Sequence, residues 1–247
     1  MNDELKFYEE KGNWDFSKIK YYEEVLKDEF NYFDWIRMYS DDSSNLLDLG
    51  TGGGEALIKE YPKTKRIVGI DFSNEMIKTA IYNLEHSKRK NENISFCKMD
   101  INNLEFENNE FDIITARHTV INVNNIKRIL KPGGLLIIEG VAKDDSIELK
   151  EKVGRGQCFF DERAVEEIEL EEIKNAGFEI LENKYMILNE WYYTEDDFLG
   201  LLFKTPIIEN ITEKDLEKIK EYIAENTQDG YIKLVRRIYG FICKNIK

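Results

Sequence analysis

Through the middle of the chain, short unbroken apolar runs alternate with stretches of helical period. Leu46–Leu49, Arg66–Asp71, Ile94–Asp100, Phe111–Arg117 and Leu135–Val141 each read as a buried strand. Ser73 caps a helix whose Met76, Ile77, Ala80, Ile81 and Leu84 fall on one face, and Lys131-Pro132-Gly133-Gly134 turns the chain into the fifth of these strands. Such alternation predicts an α/β fold: a doubly wound, mostly parallel sheet covered by helices on both faces. Ligands in such sheets sit at the carboxyl ends of the strands, at the point where strand order reverses.

The flanks are patterned differently. Residues 1–43 are aromatic and charged. Asp15 or Ser17 is placed to cap a helix in which Ile19, Tyr22, Leu26, Phe30 and Phe33 recur at three- and four-residue steps. Asp41-Asp42-Ser43-Ser44 then makes a turn. Beyond Gly140, Ile168, Leu170, Ile173 and Ala176 predict a helix stopped by Gly177. Phe178 to Leu181 predicts a sixth strand running into the aromatic stretch Tyr185 to Tyr193. Thr194 with Asp197, and Thr212 with Asp215, each open a helix. Tyr231 to Cys243 reads as a last, antiparallel strand. The expected organisation is a helical cover over 1–43 and a main domain over 44–247, with a helical insertion at about 194–229.

Within this frame one stretch carries ligand chemistry. Leu46-Leu47-Asp48-Leu49-Gly50-Thr51-Gly52-Gly53-Gly54-Glu55 is a strand, a glycine turn and the start of a helix. A backbone this bare lets a ligand approach closely. Asp71, about 20 residues on at the end of the next strand, is where a ribose-binding acid belongs. A dinucleotide fingerprint requires a third glycine where this chain has Glu55, and Asp48 before the turn would repel pyrophosphate. The same carboxylate suits an ammonium group. S-adenosylmethionine, with adenosine, an amino-acid tail and a sulfonium, meets these terms; a glycine turn used only for packing is the alternative.

Composition narrows the partners. The chain has 247 residues with 49 acidic against 35 basic side chains, a net charge of −14, which disfavours broad capture of nucleic acid. Cys97, Cys158 and Cys243 are scattered, and with only His86 and His118 beside them no metal site is expected. Uneven cysteine number, no secretory leader and no apolar run of membrane-spanning length point to a cytoplasmic protein.

The Asp-x-Gly-x-Gly-Gly-Gly pattern resembles motif I of the class I S-adenosylmethionine-dependent methyltransferases. Asp71-Phe72-Ser73-Asn74-Glu75-Met76, Met99-Asp100-Ile101 and Leu130-Lys131-Pro132-Gly133-Gly134 are similar to later segments of that family, in order and at matching intervals. The resemblance implies a seven-stranded sheet with N-terminal helices lying over the cofactor. Asp48, Gly50, Thr51, Gly52 and the Arg117 backbone carbonyl would then serve the amino-acid tail, Asp71 the ribose, and Phe72, Met76, Asp100 and Ile101 the adenine end. Read alone, Asp100 has a turn cap as its alternative role and Phe72 a core position. Leu201-Leu202-Phe203-Lys204-Thr205-Pro206 resembles, more loosely, a segment of bacterial large-subunit rRNA guanine-N1 methyltransferases, whose cysteine-rich zinc module has no counterpart here.

Acceptor chemistry is less legible. The chain has no Asn/Asp-Pro-Pro-aromatic motif and no Pro-Cys nucleophile. His118, after the fourth strand, is the candidate proton acceptor, or else a pocket wall. Arg155 and Gln157 either fix an anionic acceptor or stand in solvent. Trp14, Tyr21 and Tyr22 either cover the ligand or pack the core, and Trp191, Tyr192 and Tyr193 either line an acceptor pocket or pack the core. The expected activity is methyl transfer from S-adenosylmethionine to a small molecule. An RNA base methyltransferase and a cofactor-binding subunit that transfers nothing are the other two readings, and oligomeric state stays open.

Overall fold

The computed structural model describes residues 18–246. Trp14 and the caps Asp15 and Ser17 lie outside the described residues. The predicted α/β frame is present. Strands β2 (Asn45–Leu49), β3 (Arg66–Asp71), β4 (Ile94–Lys98), β5 (Phe111–Arg117) and β6 (Leu130–Val141) form a parallel block in the order β4-β3-β2-β5-β6. The switch in order falls between β2 and β5.

Strand alternation sends neighbouring side chains into two separate cores. Leu47, Val68, Ile114 and Leu136 pack on one face with Val123, Ile126 and Ile129 of helix α4 (Val123–Ile129). Leu46, Ile67, Ile113 and Ile137 pack on the other with Tyr32 and Ile36 of α1 (Tyr32–Tyr39) and Leu57 of α2 (Glu55–Glu60). Helix α3 (Asn74–Glu85) is capped by Ser73 as expected, and Met76, Ile77 and Ala80 are buried. Ile81, placed on that face by periodicity, is exposed.

The antiparallel part is larger than the sequence suggests: the sheet has nine strands where seven are expected. The sixth strand, expected over Phe178 to Leu181, takes in most of the aromatic stretch as well. β7 (Phe178–Tyr192) runs unbroken for 15 residues, and β9 (Tyr231–Asn245) pairs antiparallel with both β6 and β7. A two-residue strand β8 (Thr227–Gln228) turns into β9. The predicted helix through Tyr22 and Leu26 is also corrected. Tyr21–Lys27 is strand β1, antiparallel to β7, and the helix starts only after Asn31 caps it. Aromatic cross-strand partners decide this: Tyr21 stacks on Tyr192 and Tyr22 on Trp191, a gain no isolated helix offers.

Helices α5 (Ile147–Val153), α7 (Glu195–Lys204) and α8 (Glu213–Asn226), with the 3₁₀ turn Pro206–Ile208, build a third core against Tyr192, Ile232 and Leu234. Thr194 and Thr212 cap α7 and α8 as their spacing predicts, the latter with a complete capping box. No helix among the described residues is long and apolar enough to cross a membrane.

Helix α6 (Val165–Asn175), ended by Gly177 as expected, buries Ile173 but leaves Ile168 exposed. It also buries Glu169, whose carboxylate accepts from the Tyr239 hydroxyl at 2.9 Å. Burial pushes this carboxyl up to about 7, with Glu172 and Glu166 adding to the effect. A raised carboxyl is stabilising below the usual glutamate range, and that stability drains away as pH rises through the folded-state value. Glu169→Gln keeps the acceptor and removes the charge. Relative to wild type, the variant should therefore gain about 3 kcal/mol between pH 4 and pH 8, measured by denaturant unfolding at the two values.

Candidate active site

At the carboxyl end of β2 the chain enters the glycine turn. Gly50, Gly52 and Gly54 have positive φ. A Cβ on Gly50 (φ +68°) would lie 2.6 Å from Thr119 Oγ1, so the turn abuts the loop leaving β5. The Thr51 N–H donates to Ile70 O (2.9 Å), and Asn83 Nδ2 donates to Gly53 O (2.9 Å), fixing the turn to β3 and α3.

Asp71 is buried at the end of β3. Its two oxygens accept from Gly52 N–H (3.0 Å) and Ser73 N–H (2.9 Å). Burial raises its carboxyl and these backbone donors oppose the rise. Phe72 is exposed beside it. Met99 N–H donates to Asp71 O (3.0 Å), which brings Asp100 and Ile101 alongside. Asp100 is exposed and accepts from Asn102 N–H (2.8 Å); the Ile101 carbonyl is held by Asn125. Met76 is buried in the core, 1% exposed, and has no side-chain surface to offer a ligand.

Asp48 lies on the opposite side of the turn, also buried. Tyr61 Oη donates to its Oδ1 at 2.7 Å and Thr115 Oγ1 at 2.9 Å. Desolvation raises the Asp48 carboxyl against these donors. Glu55, at the position of the missing third glycine, folds its carboxylate against Gly53. Asp48, Glu55 and Asp71 thus surround the turn with negative charge, and the Gly52 N–H is spent on Asp71. A pyrophosphate does not fit; a nucleoside with a cationic tail does.

The end of β5 supplies the next residues. Arg117 Nε donates to Glu139 Oε1 at 2.7 Å, and its guanidinium lies over Phe33. His118 has φ +52°, a left-handed backbone that costs a non-glycine residue of order 1 kcal/mol and is most often retained at functional sites. Its N–H donates to Glu139 O (2.9 Å) and its Nε2 lies 3.4 Å from Glu139 Oε1. Desolvation of the ring, together with the positive charges of Arg117 and Arg236, lowers the imidazole well below its ordinary value and keeps it neutral, although the side chain is 36% exposed and Glu139 lies beside it.

β7 and β9 extend past β6. Val141 pairs with Ile238, so residues 231–237 run on beyond the sheet's carboxyl edge with β7 and β1 beside them. Alternation puts Tyr21, Glu23, Glu190, Tyr192 and Arg236 on the face that also carries Asp48, Thr115, Arg117 and Glu139. Arg236 binds Asp145 through Nε (2.9 Å) and Glu190 through Nη1 (3.0 Å), and Tyr192 Oη donates to Glu190. Glu23 is exposed, and partial desolvation with the neighbouring Glu190 charge pushes its carboxyl up.

Tyr22 and Trp191 fall on the other face. Trp191 Nε1 donates to Glu24 Oε2 (3.1 Å), and Tyr22 packs on Tyr193 and Tyr231. In a strand a one-residue step reverses the face, so Tyr21 and Tyr22, both expected over the ligand, part to opposite sides of the sheet. Arg155 is also committed elsewhere: it grips Asp215 (2.6 Å) and the carbonyls of Glu209 and Asn210, tying α8 to the loop after α5. The Gln157 N–H donates to Ile207 O in the same region. Sequence reasoning missed Tyr61, Glu139, Glu190 and Arg236. Only Glu139, one strand over from Arg117, carried a signal in the charge pattern.

A bare turn at the switch point, a spaced acid and no phosphate cradle define a nucleoside-binding α/β enzyme. The chain belongs to the methyltransferase-domain family, whose model matches residues 40–192. Malonyl-[acyl-carrier protein] O-methyltransferase 2 of Ilyobacter polytropus is 29% identical over 213 residues, covering 78% of each chain. The demethylmenaquinone methyltransferase of Staphylococcus saprophyticus is 35% identical over 107 residues, 38% of this chain and 43% of that enzyme. In structure, the YcgJ protein of Bacillus subtilis aligns over 87% of this chain and 98% of its own, with a TM-score of 0.62 at 17% identity. The residues around the glycine turn fit S-adenosylmethionine as the methyl donor.

Proposed function

We propose that the protein methylates a small-molecule acceptor held between the β5 exit loop and the overhanging β1–β7–β9 wall. The observation that carries this reading is the common face of that wall, with Tyr21 and Glu23 turned to the Arg117–Glu139–His118 cluster. S-adenosylmethionine, when bound, supplies an activated methyl on a sulfonium sulfur. Asp48 and the Gly50–Gly52 backbone, with Thr51 and the Arg117 carbonyl, receive its tail; Asp71 receives the ribose; Phe72, Asp100 and Ile101 receive the adenine. His118, neutral at physiological pH, takes the proton released by an acceptor hydroxyl or amine. Holding the acceptor in line and excluding water is the protein's main contribution.

The relatives named above act on a malonyl group borne by acyl-carrier protein and on a demethylmenaquinone, which supports a non-nucleic-acid acceptor. The Leu201–Pro206 segment supports the second reading, an RNA base, against a net charge of −14. A cytoplasmic location is part of the proposal. Incubation with methyl-labelled S-adenosylmethionine, a metabolite extract and total RNA separates the readings. Label in the metabolite fraction is expected; label confined to RNA, or none in either, overturns the proposal.

A further inference from the structure

Asp48 is a buried carboxylate without a buried cation of its own. Among the described residues it makes no ion pair, and Arg117, a positive group that acts on it through space, is bound to Glu139. Buried hydroxyls surround it instead: Tyr61 and Thr115 bonded to it, Thr51 acting on it from the glycine turn, and Tyr32 behind Tyr61. Each has one proton. Tyr61 gives its proton to Asp48 Oδ1 (2.7 Å), so at the 3.4 Å contact between the two tyrosines the donor is Tyr32. Thr115 Oγ1 lies 2.9 Å from the same carboxylate oxygen and 3.1 Å from Tyr61 Oη. The row runs from α1, through the residue that ends α2, to the strand beneath the glycine turn.

Neutral donors orient a carboxylate and favour its ionised form, but they do not neutralise it. An ionised Asp48 in this position is completed by a cation arriving with the ligand. We infer that Tyr61, braced by Tyr32, is a positioning residue that keeps Asp48 ionised and aimed for the ammonium of the donor's amino-acid tail. This rests on the donor proposed above. Burial lifts the Asp48 carboxyl, with Tyr61, Thr51, Thr115 and Arg117 opposing the lift. The other titratable groups around the row, Tyr32 on α1 and Glu139 on β6, are respectively held protonated by burial and paired with Arg117. Loss of the Tyr61 hydroxyl therefore moves Asp48 protonation to higher pH.

The test compares S-adenosylhomocysteine, which carries the tail, with 5′-methylthioadenosine, which lacks it, by calorimetry across pH. Tyr61→Phe should weaken S-adenosylhomocysteine about ten-fold, the scale of a hydrogen bond to a charged group, and leave methylthioadenosine within about two-fold. The acid limb of S-adenosylhomocysteine binding should also move up in pH. Equal loss for both ligands makes Tyr61 a packing residue and overturns the inference, as does an unchanged acid limb. Should Tyr61→Phe fail to fold, Tyr32→Phe must show the same selective loss and shift in smaller measure. Wild-type protein that binds both ligands equally sinks the donor assignment itself.

Discussion

Replacing Arg236 with methionine should destabilise the protein by about 3–5 kcal/mol, the range for removing one member of a buried charge cluster. The guanidinium is 11% exposed, and its partners Asp145 and Glu190 are 3% and 8% exposed. Methionine leaves the volume largely filled, so the loss comes from two carboxylates stranded in the interior. Tyr192, Ser146 and the Arg237 N–H remain as neutral donors to them, and the Lys150 ammonium acts on Asp145 through space without bonding to either carboxylate. Urea unfolding of wild type and Arg236→Met measures the difference; a change under about 1 kcal/mol would mean that water reaches the cluster.

Asp71→Ala should weaken S-adenosylhomocysteine binding by about 2–3 kcal/mol, roughly 30- to 150-fold, from the lost ribose acceptor alone. The structure adds a second loss. The same carboxylate holds Gly52 N–H and Ser73 N–H, so alanine also releases the glycine turn and the cap region of α3. Asp71→Asn, whose carbonyl can retain one of these donors, should fall between the two. Calorimetry with the three proteins orders them, and identical affinities would remove Asp71 from the site.

The parallel block was legible because its strands are apolar runs bounded by glycine, proline or an acid. Five such runs in series leave few topologies open. The cofactor side was legible for a related reason: Asp48, the glycines, Asp71 and Asp100 are close to strand ends that periodicity locates. The acceptor side was not, because its residues belong to strands whose patterning is shaped by both faces. In Tyr21-Tyr22-Glu23-Glu24 the aromatic and acidic residues come in pairs, and nothing in that order distinguishes the face toward His118 from the face toward Trp191. Arg155 misled for another reason: a guanidinium in a glycine-flanked loop reads as free, but Asp215, 60 residues later, claims it. Arg236 carried no local signal at all, since its partners lie 46 and 91 residues earlier in the chain.

β9 stands between β6 and β7, so β7 reaches the parallel block only through it, and β1 only through β7. In chain order, the segments that hold the donor are complete before β9 is made. The wall facing the acceptor has to wait, and the earliest strand described, β1, is among the last to find its place.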